Sequence, residues 1–195
     1  MTEESFWNLI RNAGTHGPDS ANFLAQLEAK LFDLPIEDML DFLAWLRTFL
    51  DRANDRRLII AGSIIRGVIG SGGLIGDDGF LYFRTWLIAQ GREAFQSALV
   101  NPDSLAELRW FDECSVSSLT YMEKLLYVAN KPFIQKSGGK PLTAYKEVLP
   151  SWKPPCGSSI KSTGLKHAEF WTNKDIDQLE TSFPRLTFRT RHANH

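Results

Sequence analysis

The stretch Gly70-Ser71-Gly72-Gly73-Leu74-Ile75-Gly76-Asp77-Asp78-Gly79-Phe80, GSGGLIGDDGF, runs directly into LYFRTWLIAQGREAF at 81–95. Closely spaced glycines, then two adjacent carboxylates, then an apolar pattern of helical period read as a turn that delivers the chain into a helix. Phe80, Phe83, Leu87, Ala94 and Ala98 share one face, with Tyr82, Trp86 and Phe95 around it. Residues 80–100 are therefore expected as one long helix, apolar on several sides and so central to the fold.

Upstream of the loop, RLIIAGSIIRGVIG at 57–70 suits either a buried helix or a strand. Gly62 and Gly67 lower its helix propensity, but among helical neighbours they read as points of close helix packing, and helix is the reading adopted. Further upstream the helical period is plain. Thr2 can cap a helix through Arg11, with Glu3 and Glu4 in its first turn and Phe6, Trp7, Leu9 and Ile10 as its apolar face. Gly14 to Pro18 breaks the chain, and Asp19 opens a second helix carrying Phe23, Leu24, Leu27, Leu31 and Phe32. Pro35 suits the first position of a third, in which Met39, Leu40, Phe42, Leu43, Leu46, Phe49 and Leu50 oppose Glu37, Asp38, Asp41, Arg47 and Asp51.

Downstream, NPDSLAEL at 101–108 begins a short helix capped by Asn101 or Asp103, and Ser115 to Asn130 forms another that Pro132 perturbs or ends. From Ser137 the stretches SGGKP, LPSWKPPCGSS and KSTG are turn chemistry. Trp152, Phe170, Trp171, Phe183, Leu186 and Phe188 look like docking anchors, and TNKDIDQLETSF at 172–183 offers a last short helix. The expectation is a mainly α protein: a single compact helical domain of six to eight helices over 1–150, with an irregular tail over 151–195 packed on it.

Composition narrows the function. With 195 residues, 43% of them hydrophobic, the chain can bury a sizeable core. No apolar run approaches the roughly 18 residues of a membrane span, and MTEESFWNLIRNAG is acidic before it is apolar, unlike a signal peptide. No membrane partner is expected and the default location is cytoplasmic. Cys114 and Cys156 have neither C-x-x-C spacing nor clustered histidines, so each is expected as a free thiol. The net charge of −1, with Arg185, Arg189 and Arg191 in a mildly basic tail, is too weak to argue for nucleic acid. The loop is not a P-loop, Ser71 has no G-x-S-x-G context, and His16, His167, His192 and His195 are loop or tail residues.

MTEESFWNLI at the start, GDDGFLYFRTWLIAQGREAF at the core, ALVNPDSLAEL after it, LLYVA at 125–129 and FPRL at 183–186 together resemble the bacterial family known as domain of unknown function 4240. The chain departs from the family pattern by carrying Gly76 where Ser precedes the acidic pair, and by a longer stretch before FPRL. The resemblance implies a shared fold and brings no activity with it.

Two functional readings remain. In the first, a non-catalytic helical module binds a protein partner or small ligand, as the missing nucleophile and base and the aromatic tail suggest. In the second, a hydrolase or transferase acts on an anionic, phosphate-bearing substrate. There Asp77 and Asp78 are the candidate catalytic carboxylates or ligands of a divalent cation, and Gly70, Gly72, Gly73 and Gly76 allow close backbone approach. Arg84 and Arg92, about 80° apart on one helix, receive the anion, and Trp86 lines the pocket. Asp112 and Glu113 are a second acidic pair that the fold can add to the cluster. The same residues also have a structural reading: one aspartate caps the helix, the glycines permit positive φ before it, and the arginines pair with neighbouring carboxylates.

Overall fold

The computed structural model describes residues 1–14, 20–69, 73–108, 122–156 and 179–192. Among these residues the chain is helical without strands. The helices are α1 (Glu3–Asn12), α2 (Ser20–Asp33), α3 (Ile36–Arg52), α4 (Arg56–Ile65), α5 (Asp77–Ala89), α6 (Arg92–Val100), α7 (Asn130–Lys136), α8 (Tyr145–Val148), α9 (Leu179–Ser182) and α10 (Pro184–His192). Short 3-10 turns cover Pro102–Glu107, Glu123–Tyr127 and Leu142–Ala144. The mainly α class is as expected, the helices beyond six to eight being pieces of one or two turns.

Contacts divide the chain into two units, each assembled from an early and a late segment. The first takes Met1–Asp51 and Glu123–Thr163, the second Arg52–Met122 and Gly164–His195.

In the first unit, Thr2 caps α1 by accepting the Ser5 N–H at 3.1 Å, and Glu3 and Glu4 sit at the positive end of the helix. Phe6 and Trp7 of α1 meet α3: ring centroids lie 5.1 Å apart for Phe6–Phe42, 5.0 Å for Phe6–Phe49 and 4.5 Å for Trp7–Phe49. All seven apolar positions expected on α3 are buried. Asp41, expected on its polar face, is buried as well, at 7% exposure. Its carboxylate is satisfied from far along the chain: the Met1 ammonium binds one oxygen, and Trp152 Nε1 donates to the other at 2.8 Å. Burial works against that ammonium's charge, but hydrogen bonds to Asp41 and Asp38 outweigh it and hold its pKa above the ordinary 8.0.

The helix expected to end near Pro132 is organised differently. Residues 115–121 lie outside the described residues, Glu123–Tyr127 is a 3-10 turn, and α7 begins at Asn130. Pro132 thus stands in the first turn of α7, where a missing N–H costs nothing because it would have no intrahelical acceptor. Gly138, at φ +70°, and Gly139 close α7, Gly139 N–H reaching the Ile134 carbonyl at 2.8 Å.

In the second unit, residues 57–65 are helical, as adopted from the sequence. Gly62 is the close-packing point expected: a Cβ there would lie 3.0 Å from Ile75 Cδ1 and 3.1 Å from Phe83 Cγ. Gly67 is not one. At φ +68° it terminates α4, its N–H bonding the Ile64 carbonyl at 2.9 Å while Val68 N–H bonds Ser63 at 3.2 Å, both bonds of a Schellman turn.

The single helix expected over 80–100 is two. Gly91, at φ +92° and ψ 172°, is a conformation open essentially to glycine alone, and it ends α5 and starts α6. Apolar periodicity continued across the joint and concealed it. Asn101 caps the 3-10 turn Pro102–Glu107 through its side chain, which accepts from Asp103 N–H at 3.2 Å. Of the expected tail anchors, Phe183 and Leu186 are buried and Phe188 is exposed; Phe170 and Trp171 lie outside the described residues.

Candidate functional site

The glycine loop enters α5 along a backbone pinned by one hydroxyl. Ser63, fully buried in α4, donates to the Ile59 carbonyl at 2.6 Å and accepts Ile75 N–H at 3.0 Å. Gly76 is then the N-cap of α5, extended at φ −67° and ψ 176°, and its carbonyl accepts Phe80 N–H at 2.8 Å. Neither aspartate caps the helix, because Gly76 occupies that position. Asp77 and Asp78 are its first two residues, both exposed at the positive end of its dipole. Gly73 and Gly76 do not take positive φ, and a Cβ on either meets nothing within 4 Å. Gly70, Ser71 and Gly72 lie outside the described residues, as do His16, His167, His195, Asp112, Glu113 and Cys114.

The cationic half of the candidate site is distributed over two helices. Arg84 belongs to α5 and is buried at 5% exposure, its guanidinium carbon 4.7 Å from the Phe80 ring centroid. Arg92 is the exposed first residue of α6, beyond the Gly91 joint, so the 80° relation expected of one continuous helix does not hold. Trp86 is a core residue at 3% exposure, its ring 5.3 Å from that of Phe83. Among the described residues no group of three or more His, Cys, Asp or Glu side chains is arranged to hold a metal ion.

Sequence reasoning missed the most elaborate polar constellation of the second unit. Asp103, at 4% exposure, accepts Arg185 N–H at 3.2 Å and Arg185 Nε at 3.1 Å on one oxygen, and Leu186 N–H at 2.9 Å on the other. Arg185 also binds Glu107 through Nη1. These two N–H groups belong to the second and third residues of α10, the ones an N-cap side chain ordinarily takes. The residue before Pro184 is Phe183, whose side chain has no acceptor, so Asp103 supplies the cap from 82 residues away. Hydrogen bonds to Asp103 and then Glu107 hold the Arg185 guanidinium above its usual range. NPDSLAEL and FPRL each carry half of this contact, and only the pairing was invisible.

The Cys156 thiol accepts from Thr48 Oγ1 at 2.9 Å. Arg57 holds Asp55 at 3.0 Å and donates to the carbonyls of Leu99 and Val100 at 3.0 and 3.3 Å, closing the end of α6.

Among the described residues these features define an all-helical protein in which Thr2, Arg57, Asn101 and Asp103 begin or end helices and Ser63 joins two segments. The chain belongs to the family described as protein of unknown function (DUF4240), whose model matches residues 1–135. That span includes Asp103 and stops short of the FPRL segment. Neither the curated proteins nor the solved structures yield a match. No helix among the described residues is long and apolar enough to cross a membrane.

Proposed function

We propose that this protein is a non-catalytic helical module that binds a protein partner or a small ligand. The observation that carries the reading is the outward placement of large apolar side chains on short elements. Tyr127 is 54% and Ile134 41% exposed, on a segment whose other side buries Leu125, Val128, Ala129 and Phe133. Solvent-facing aromatic and branched aliphatic groups on a segment already anchored by a full apolar face are the material of an interface core. The arginine and tryptophan expected to bind the anionic substrate support the reading from the other side, since Arg84 and Trp86 are packed within the protein.

The deciding experiment pairs two double variants. Tyr127→Gln/Ile134→Gln should melt within about 0.5 kcal/mol of the wild type, as surface changes do, yet lose the proteins or small molecules that the wild type retains. Asp77→Asn/Asp78→Asn should keep them, and divalent cations and nucleotides should shift its melting midpoint no less than that of the wild type. Hydrolysis of a phosphate ester by the wild type, lost in the aspartate variant, would overturn the proposal in favour of an enzyme.

A further inference from the structure

The segment that presents Tyr127 and Ile134 is also lined with positive charge. From Lys124 to Lys146 the chain carries five lysines and no acidic residue, although its net charge is −1. All of it lies within the first unit. The 3-10 turn Glu123–Tyr127 leads through Val128 and Ala129 into α7, and its inward side is spent on the core, where Leu125, Val128, Ala129, Pro132 and Phe133 are buried. Outward, at spacings of three, four and three residues, stand Lys124, Tyr127, Lys131 and Ile134, all exposed. Lysine and apolar side chain therefore alternate along one stripe. The lysines are drawn along the surface by weak partners: Lys131, with 72% of its side chain exposed, meets Glu28 of α2 at 2.9 Å, Lys136 donates to the Leu34 carbonyl at 2.8 Å, and Lys140 lies 3.2 Å from Glu147. Exposed ion pairs are worth at most about 1 kcal/mol, so an arriving carboxylate displaces Glu28 or Glu147 at little cost. Counting Glu28, Glu123 and Glu147 against the five lysines leaves an excess of two positive charges.

We propose that the stripe from Lys124 to Ile134 receives an acidic protein segment in which carboxylates alternate with apolar side chains. Tyr127 and Ile134 take the apolar groups, and Lys124 and Lys131 take the carboxylates, whose opposite charge steers the encounter and sets the register. The inference rests on the binding-module reading and names the chemistry of its partner. A bilayer fits less well, because an interfacial helix keeps its apolar face apart from its charged face, and here the two kinds of side chain share one stripe. Nucleic acid also fits less well. No arginine lies between residues 124 and 146 to fork onto a phosphate or a base edge, and Ile134 gives a base no ring to stack on.

The test selects binders to the full-length chain from a displayed library of random peptides. The selected sequences should be rich in Asp and Glu interspersed with Leu, Ile or aromatic residues. A synthetic peptide of the leading sequence should bind Lys124→Gln/Lys131→Gln about tenfold more weakly than the wild type. Raising the salt to about 0.5 M should weaken its binding to the wild type as well, a readout that needs no variant to fold. Selected sequences without an acidic excess, or a leading peptide indifferent to both the lysine change and salt, overturn the proposal. If that indifferent peptide is nonetheless lost from Tyr127→Gln/Ile134→Gln, the binding module stands and only its acidic partner falls. Phosphatidylserine vesicles or a single-stranded DNA oligonucleotide that bind the wild type more tightly than the peptide, and lose that binding in the lysine variant, overturn the proposal in favour of a membrane or a nucleic acid. A library that yields no binder overturns it too, and hydrolysis of the phosphate ester then decides whether the module reading falls with it.

Discussion

Glycine has three different tasks in this chain, and only coordinates separate them. Gly62 lets α5 approach α4, Gly67 ends α4 in a left-handed turn, and Gly73 stands in open space. Gly62→Ala should therefore cost about 1–3 kcal/mol, because Ile75 and Phe83 must move to admit the methyl group. Gly73→Ala should stay within about 0.5 kcal/mol of the wild type. Urea unfolding of the pair checks this, and a large cost at Gly73 would mean that the loop backbone is held against something. Asp55 bears on pH. The hydrogen bond from Arg57 lowers its pKa below the usual 3.8, against burial, which raises it. A depressed carboxylate stabilises the protein above its unfolded pKa, so the contribution is complete at neutral pH. It fades as pH falls from about 3.8 through the lower folded value. Asp55→Asn, which keeps a capping oxygen and drops the charge, should remove that part of the acid dependence. The effect will be small, since solvent screens the partly exposed pair.

At the scale of elements, the helices with local signals were legible and the joints were not. Thr2 with Glu3 and Glu4 announces α1, and the apolar stripe from Met39 to Leu50 announces α3. The break between α5 and α6 is masked, since Leu87 and Ala94 keep helical spacing across Gln90-Gly91-Arg92-Glu93 and a helix interior tolerates an isolated glycine for about 1 kcal/mol. Only its φ of +92° shows that the chain turns there. Gly91→Ala should cost about 1–3 kcal/mol, more than the helix stabilisation alanine would bring if residues 80–100 were continuous. Measured in denaturant, a gain in stability would restore the single helix and with it the common face for Arg84 and Arg92. Helix α10 was missed for the converse reason. Phe183 and Pro184 offer no local cap, and the acceptor that starts the helix belongs to another part of the chain.

Over the whole molecule, each unit joins an earlier segment of the sequence to a later one. The family match to residues 1–135 therefore does not mark a self-sufficient piece. A chain cut after residue 135 loses Trp152 from the first unit, and Phe183, Leu186 and the clasp on Asp103 from the second. Burial of a large apolar side chain is worth about 1.5–3 kcal/mol, so the cut should lower stability by several kcal/mol in a calorimetric scan. An undiminished melting profile would show the late segments to be accessory.

The mainly α class, most of the helices before residue 69, the apolar core of α3 and the family were readable from the residues, because helical period and capping chemistry are properties of near neighbours. The candidate site was legible only as a set of residue types. Asp77, Asp78, Arg84, Arg92 and Trp86 are close in sequence, but a turn at Gly91 and the burial of two of them decide what they can reach. It took the packing of segments remote in sequence to make Asp41 and Asp103, polar residues in amphipathic surroundings, buried carboxylates that tie distant segments down. A carboxylate withdrawn from water must be satisfied by donors, and here the donors come from Met1 and Trp152 in one case and from residues 185 and 186 in the other.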